Sequence, residues 1–244
     1  MSARALAASV APGHLQRASA LTDFSGSRDI AVSEEIGSLL PWPRLRRGAT
    51  ICLAAKAASG TTSLLLALMA QLSRSGAWCA LIGASSVSAV AAQQAGVSLS
   101  RLAFVETAER DRETAAGALL NGIDLVAVHI TSEVPSQMPR RLMAKARKRG
   151  NILVPFGPGA QSWPNTDVSW SVEKTTWHGL NRGRGMLRHC ELHVRARMHG
   201  RDRYGTVWPY GRAPGVAETR DVHGRRTASV TSLPSRKVKA LRSG

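Results

Sequence analysis

The residues "AKAASGTT", Ala55 to Thr62, lie between an apolar run and a helical one and have the frame of a phosphate-binding loop. In G-x-x-x-x-G-K-[ST] the glycines permit a tight wrap and backbone N–H groups face the phosphates. The lysine neutralises the terminal oxygens, and the hydroxyl holds Mg²⁺. The chemistry such a loop serves is phosphoryl transfer. Here Gly60 and the hydroxyl of Thr62 are kept, but Ala55 stands for the first glycine and Thr61 for the lysine. Lys56 sits at the opposite end of the loop, out of easy reach of the same oxygens. Without the lysine the main charge facing a polyanion is gone, and a helix N-terminus alone is a weak substitute.

The elements around the loop follow a strand–helix rhythm. "GATICLAA" has the β-branched and apolar content of a buried strand, and Gly60 opens a helix to about Ser75, with Leu64, Leu65, Leu68, Met69 and Leu72 at helical spacing. Strands are expected at "GAWCALIGA", "RLAFVE", "IDLVAVHI" and "NILVPFG". Helices are expected at "SVSAVAAQQAG", "RETAAGALLNG" and "PRRLMAKARKRG". Strands alternating with helices imply βαβ units and a mostly parallel, doubly covered sheet. After Gly157, "DVSWSVEKT" and "HCELHVRAR" alternate polar and apolar residues, as half-exposed antiparallel strands do, with "WHGLNRGRG" as the joining loop and "YGTVW" as a third strand. The expected division is a flexible lead over residues 1–38, an α/β core over 39–208 and a basic, disordered tail over 209–244.

The chain has 244 residues and a formal net charge of +17, and the charge is unevenly placed. Between Gly48 and Pro139 there are 5 Lys/Arg against 6 Asp/Glu, whereas from Lys174 onward there are 16 against 4. Arg140, Arg141, Lys145, Arg147, Lys148 and Arg149 fall within one expected helix. Such asymmetry points to nucleic acid or an acidic partner, or else to a solubilising tail. Cys52, Cys79 and Cys190 are far apart, without C-x-x-C spacing, which argues against a zinc site or a disulfide framework and fits a reducing cytoplasm. Cys52 and Cys79 read as small core hydrophobes. No run of 18 apolar residues appears, so no membrane span is expected, and the N-terminus lacks the pattern of a secretory signal.

The segments "LPWPRLRRG", "SGTTSLLLAL", "AQQAGVSLSRLAFV", "GIDLVAVHI" and "WHGLNRGRG", in that order, resemble the RecA recombinase core over residues 39 to 208. More narrowly they resemble the actinobacterial ImuA-type (ImuA′) proteins, RecA-like accessory factors of the damage-inducible mutasome. The resemblance implies a RecA-like P-loop fold with an antiparallel C-terminal extension. It also implies a catalytic glutamate after the second core strand, where this chain has Ser85, and an aspartate ending the strand "IDLVAVHI", where it has His129. Lysine, glutamate and aspartate are thus all absent from the places that stabilise the transferring phosphoryl group and position water. The expectation is a pseudo-ATPase that needs no cofactor and no metal.

The family's two DNA-holding loops correspond here to "TSEVPSQMP" and "GPGAQSWPNT", and neither carries Lys or Arg. Candidate DNA contacts are instead the six basic residues of the helix together with Arg182, Arg184 and Arg188, which suit weakly specific, salt-sensitive binding of single strands. RecA cores assemble through an N-terminal element, so Leu39, Leu40 and Trp42 are candidate anchors for a second copy or a partner. By the resemblance those partners are an ImuB-like, catalytically inactive Y-family polymerase homologue and a mutagenic C-family polymerase. The expected role is a non-catalytic adaptor in damage-induced (SOS) mutagenesis by translesion synthesis, cytoplasmic and nucleoid-associated. The alternatives are a DNA-dependent ATPase or recombinase-like protein with an atypical loop, a plain DNA-binding protein, and a relative of cell-division inhibitors that share the degenerate core.

Among other residues, His129 reads as a satisfied, partly buried histidine rather than a base or ligand. His178, His189, His193 and His199 have no helical pairing with an acid that would suit a metal. Trp170 reads as core, and Trp177, beside the Gly/Arg loop, is open to either core packing or base stacking.

Overall fold

The computed structural model describes residues 29–55, 60–135, 137–181, 184–211, 218–220 and 226–228. The interior of the phosphate-type loop (Lys56 to Ser59), Arg182, most of the expected flexible lead and most of the basic tail lie outside the described residues.

Among the described residues there are twelve strands and five α-helices. In chain order they are β1 (Asp29–Ile30), α1 (Glu34–Gly37), β2 (Leu45–Arg46), β3 (Ile51–Ala54), α2 (Thr61–Arg74), β4 (Cys79–Ile82), α3 (Ala89–Gln94), β5 (Leu102–Val105), α4 (Arg112–Leu119), β6 (Leu125–His129), then α5 (Gln137–Arg149) and β7 (Ile152–Gly157). The C-terminal part adds β8 (Val168–Asn181), β9 (Arg184–Met198), β10 (Arg201–Val207) and the short pair β11 (Glu218–Arg220) and β12 (Arg226–Ala228). Eight strands form one sheet in the order β10-β9-β8-β3-β7-β6-β4-β5. All neighbours from β8 to β5 are parallel, and β9 and β10 extend the sheet by antiparallel pairing. The fold is therefore α/β with a mostly parallel sheet.

Burial explains the composition of the strands. The inner strands β4, β6 and β7 are apolar along their length because helices cover both faces, so alternation has no polar side to report. One core holds α2, α1 and α3 against the sheet; the other holds α4, α5 and the 3-10 turn after β7. Helix α2 buries Leu66, Ala67 and Ala70 as well as the stripe read from its spacing, because α1 and the end of β10 lie across its outer side. Among the described residues no helix is long and apolar enough to cross a membrane.

Two sequence boundaries move. The folded chain reaches back to Asp29, since β1 pairs antiparallel with β2 and Ile36 of α1, capped by Ser33, is buried in the core. The expected loop "WHGLNRGRG" is largely strand: β8 and β9 stay paired out to Asn181 and Arg184. Glycine weakens a strand's signal in sequence, but a bulge between His178 and Leu180 carries the ladder past Gly179.

Candidate functional site

Parallel strands gather their carboxyl ends on one edge, and the crevice opens where connections from neighbouring strands leave in opposite directions. Here β4 leads through α3 to the outer strand β5, while its neighbour β6 leads through α5 back to β7. The crevice therefore lies between the ends of β4 and β6, with β7 between it and the loop that follows β3.

The chain's own side chains fill it. His129, at the end of β6, stacks on Phe156 of β7 with ring centroids 5.0 Å apart, and its Nδ1 lies 3.0 Å from the Gly83 carbonyl oxygen. The Arg112 guanidinium lies over Gly83, and its Nη1 donates to the His129 carbonyl at 3.0 Å. Gly157 has φ 110°, and a Cβ there would come 2.6 Å from the Ile130 carbonyl oxygen and 2.7 Å from the His129 ring. Glu109 accepts from the Thr131 hydroxyl and, at 3.0 Å, from that of Ser132. Those two hydroxyls, with the Arg112 and His129 charges as smaller contributions, hold the Glu109 carboxyl below its usual range. His129 is thus a partly buried, hydrogen-bonded histidine, as its sequence context suggested.

At the loop itself, Ala55 donates its backbone N–H to the Gly157 carbonyl at 3.2 Å. Gly60 has φ 81°, and a Cβ would meet Leu192 at 2.8 Å and Thr175 at 2.9 Å, so β8 and β9 close over the start of α2. Thr61, in the lysine position, is buried, while Thr62 and Ser85 are exposed. The Ser63 hydroxyl lies 3.1 Å from that of Tyr210, whose ring stacks on Trp177 at 5.8 Å. These residues do not fit a Mg-triphosphate: the donor set has no cation in the lysine position and no carboxylate at Ser85 or His129 to order metal or water.

The thiols offer no nucleophile. Burial pushes Cys52 and Cys190 up to about 11 and Cys79 to about 12, and Cys52 and Cys79 pack in the core as their apolar flanks indicated.

Helix α5 presents a basic side. Met138, Leu142, Met143 and Ala146 are buried, while Arg140, Arg141, Arg147, Lys148 and Arg149 are exposed and Lys145 is half-buried. Arg141 lies 3.7 Å from Glu113 and Arg147 4.0 Å from Asp167. Among the described residues Arg140, Lys148 and Arg149 have no acid within ion-pair distance. The basic last turn also suits the negative end of the helix dipole. Arg184 and Arg188 fall on β9, away from α5 in the sheet order. Leu39 and Leu40 have no exposed surface, and their carbonyls accept from Trp170 Nε1 at 2.8 Å and Arg203 Nη1 at 2.9 Å. They are spent on this chain's own core. Trp42 is half-buried, with the Arg46 guanidinium 5.3 Å from its ring.

Sequence reading missed the acid between the histidines. Glu191 is fully buried, with His178 Nε2 3.1 Å from one oxygen and His193 Nε2 3.4 Å from the other. A search for helical spacing could not find it, because a strand pair assembles it. The sequence does carry H-x-E-x-H, as His189, Glu191 and His193, but the His189 ring lies 3.1 Å from the Gly211 carbonyl, and the second histidine on Glu191 is His178, which arrives from the other strand.

Residues 38–165 match the family described as the MT3502 N-terminal domain, which is more than half of the chain. The chain belongs to that family. Within this MT3502 N-terminal domain lie β3 to β7, the filled crevice and all of α5; the β8–β10 extension follows it. The chain is also similar to Uncharacterized protein Rv3395c of Mycobacterium tuberculosis (strain H37Rv), at 33% identity over 97 residues. That alignment takes in 39% of this chain and 48% of the relative, so it spans about half of the relative's length.

Proposed function

We propose that the protein is a non-catalytic, RecA-like adaptor in damage-induced mutagenesis. In this reading it holds an ImuB-like inactive Y-family polymerase homologue and a mutagenic C-family polymerase together for translesion synthesis, in the cytoplasm at the nucleoid, with weak DNA contact through α5. The observation that carries the reading is the donor set at the carboxyl end of the sheet. By the RecA resemblance Thr61, Ser85 and His129 stand where a working site needs a cation and two acids, and Arg112 reaches both the His129 carbonyl and the Glu109 carboxylate while the His129 ring is taken up by Gly83. A scaffold kept in that condition is suited to contact rather than turnover. The strand following the loop-bearing β3 in sequence lies three places away in the sheet, as crossover nucleotide-binding folds arrange it, and the mycobacterial relative is compatible with the actinobacterial resemblance.

The test is recovery of the tagged full chain from cells after DNA damage, with mass spectrometry of what accompanies it. Enrichment of both polymerase homologues is the expected result. A folded, abundant protein that carries neither would count against the adaptor. The alternative of an atypical DNA-dependent ATPase has the exposed Thr62 at the start of α2 in its favour, and hydrolysis assays separate the two.

A further inference from the structure

At β8, β9 and β10 the sheet has one face that the helices leave open. Cys52 of β3 packs in the core beneath α5, and its register partner on β8 is Ser169, so Ser169 points to the α5 side. Ser169 pairs with Arg197 and Arg197 with Asp202; two residues along, Ser171 pairs with Arg195 and Arg195 with Tyr204. Partners in register share a face. Arg195, Arg197 and Tyr204 therefore stand on the same side of the sheet as the basic helix, on the strands beyond it. Lys174 and His193 form the next row.

Tyr204 is 70% exposed, the highest value among the large apolar and aromatic side chains of the described residues. An aromatic ring displayed in the middle of a strand and left mostly in solvent contributes little burial to this chain. It offers a flat surface to something planar. Arg195 is its direct neighbour across the ladder, with Glu173 3.4 Å away, and Arg197 pairs with Asp202 at 3.1 Å. These ion pairs hold the guanidinium groups in place on the face and balance their charge, so the net positive charge of the site lies on α5. On the strands Glu173, Asp202 and the buried Glu191 stand against Lys174, Arg195 and Arg197, whereas on α5 six cations stand against Glu113 and Asp167.

The two parts adjoin. Arg147 of α5 lies 4.0 Å from Asp167, which immediately precedes β8. From Asp167 to Ser169 is about 7 Å along the strand, and Arg197 is about 5 Å further across the sheet. A strip thus runs from the cationic last turn of the helix onto the open strands, where ion-paired arginines flank the exposed ring.

We infer that this strip is a binding site for single-stranded nucleic acid, with α5 holding phosphates and Tyr204 stacking on a base. The inference rests on the nucleic-acid part of the proposed function and gives it a location and a strand preference. Single strands fit better than duplex because stacking on an aromatic side chain requires an unpaired base face, and the combination of a cationic groove with an aromatic platform is what sequence-tolerant single-strand binding uses.

The test is fluorescence anisotropy of the full chain with a labelled oligo-dT and with a duplex of equal length, at low and moderate salt. Tyr204→Ala is expected to weaken oligo-dT binding about 5-fold or more, Tyr204→Phe to leave it near the parent value, and the duplex to bind no better than the single strand. Replacing Arg140, Lys148 and Arg149 by alanine together is expected to flatten the salt dependence. Photo-crosslinking of a 5-iodouracil oligonucleotide, mapped by mass spectrometry, should mark the peptide that carries Tyr204, whatever the folding of the variants. Parent-like binding by Tyr204→Ala, or crosslinks confined to α5, would overturn the stacking site while leaving helix contact intact. Absence of oligonucleotide binding by the parent protein at low salt would overturn the site and the DNA contact together. The polymerase adaptor stands or falls separately, on the recovery experiment.

Discussion

Arg112 donates from Nη1 to the carbonyl oxygen of His129 at 3.0 Å, across 17 residues of sequence, and so ties the first turn of α4 to the end of β6. Its side chain is only 12% exposed. This one contact closes the crevice between β4 and β6 from above, while the His129 ring closes it from within by its bond to Gly83. A residue that a charge count would place on the surface is here an internal clasp.

Arg112→Ala is expected to lower stability by about 2 kcal/mol, the cost of removing a charge-assisted bond and leaving a partly buried carbonyl without its donor. Chemical denaturation of the two proteins checks this. Arg112→Lys should lie between them, since an ammonium can reach one acceptor but lacks the planar fork.

Gly157→Ala should be more damaging than any alanine substitution on the surface of α5. Its φ of 110° disfavours an L side chain, and the new methyl would meet the Ile130 carbonyl and the His129 ring. A loss of about 3 kcal/mol is expected, from backbone strain and displacement of His129 together. Thermal unfolding beside a fold-neutral control such as Arg140→Ala reads the difference.

Much of this architecture was legible in the sequence. The strand–helix rhythm from β3 to β7 follows from apolar runs and helical spacing, and each expected element appears within a few residues. What could not be read depends on contacts distant along the chain. Nothing local says that Leu39 and Leu40 will lie under Trp170, or that Arg112 will fold inward, because exposure is decided by neighbours 131 and 17 residues away. The same holds for Glu191, whose histidine neighbours share it only because β8 and β9 pair in one register. Thr61 was legible from the loop's frame, and Ser85 and His129 only through the RecA resemblance; that Arg112 and His129 fill the crevice depends on contacts between separate elements.

The Glu109 carboxyl is held below its usual value, so its contribution to stability is complete above the unfolded pKa of about 4.3 and is lost as pH falls through the lower, folded value. Stability measured from pH 6 down to pH 3 should therefore fall more steeply for the parent than for Glu109→Gln. Equal slopes would mean that the Thr131 and Ser132 hydroxyls do not bind the carboxylate in solution.

All three thiols are buried, and burial raises their pKa to about 11 or 12. Reaction with a disulfide reagent at pH 7.5 should accordingly be slow in the native chain and become complete for all three on denaturation. A rapid native reaction would show a thiol accessible outside its core position.

The most direct measurement is hydrolysis of Mg-ATP by the purified full chain, with and without single-stranded DNA, next to Thr61→Lys and Thr62→Ala. With no charge at the lysine position and no acid at Ser85 or His129, turnover should not exceed background in any of the three, and Thr61→Lys alone should not restore it. Hydrolysis by the parent chain that Thr62→Ala abolishes would contradict the account, because it would place a working phosphoryl-transfer site where the adaptor reading requires a docking scaffold.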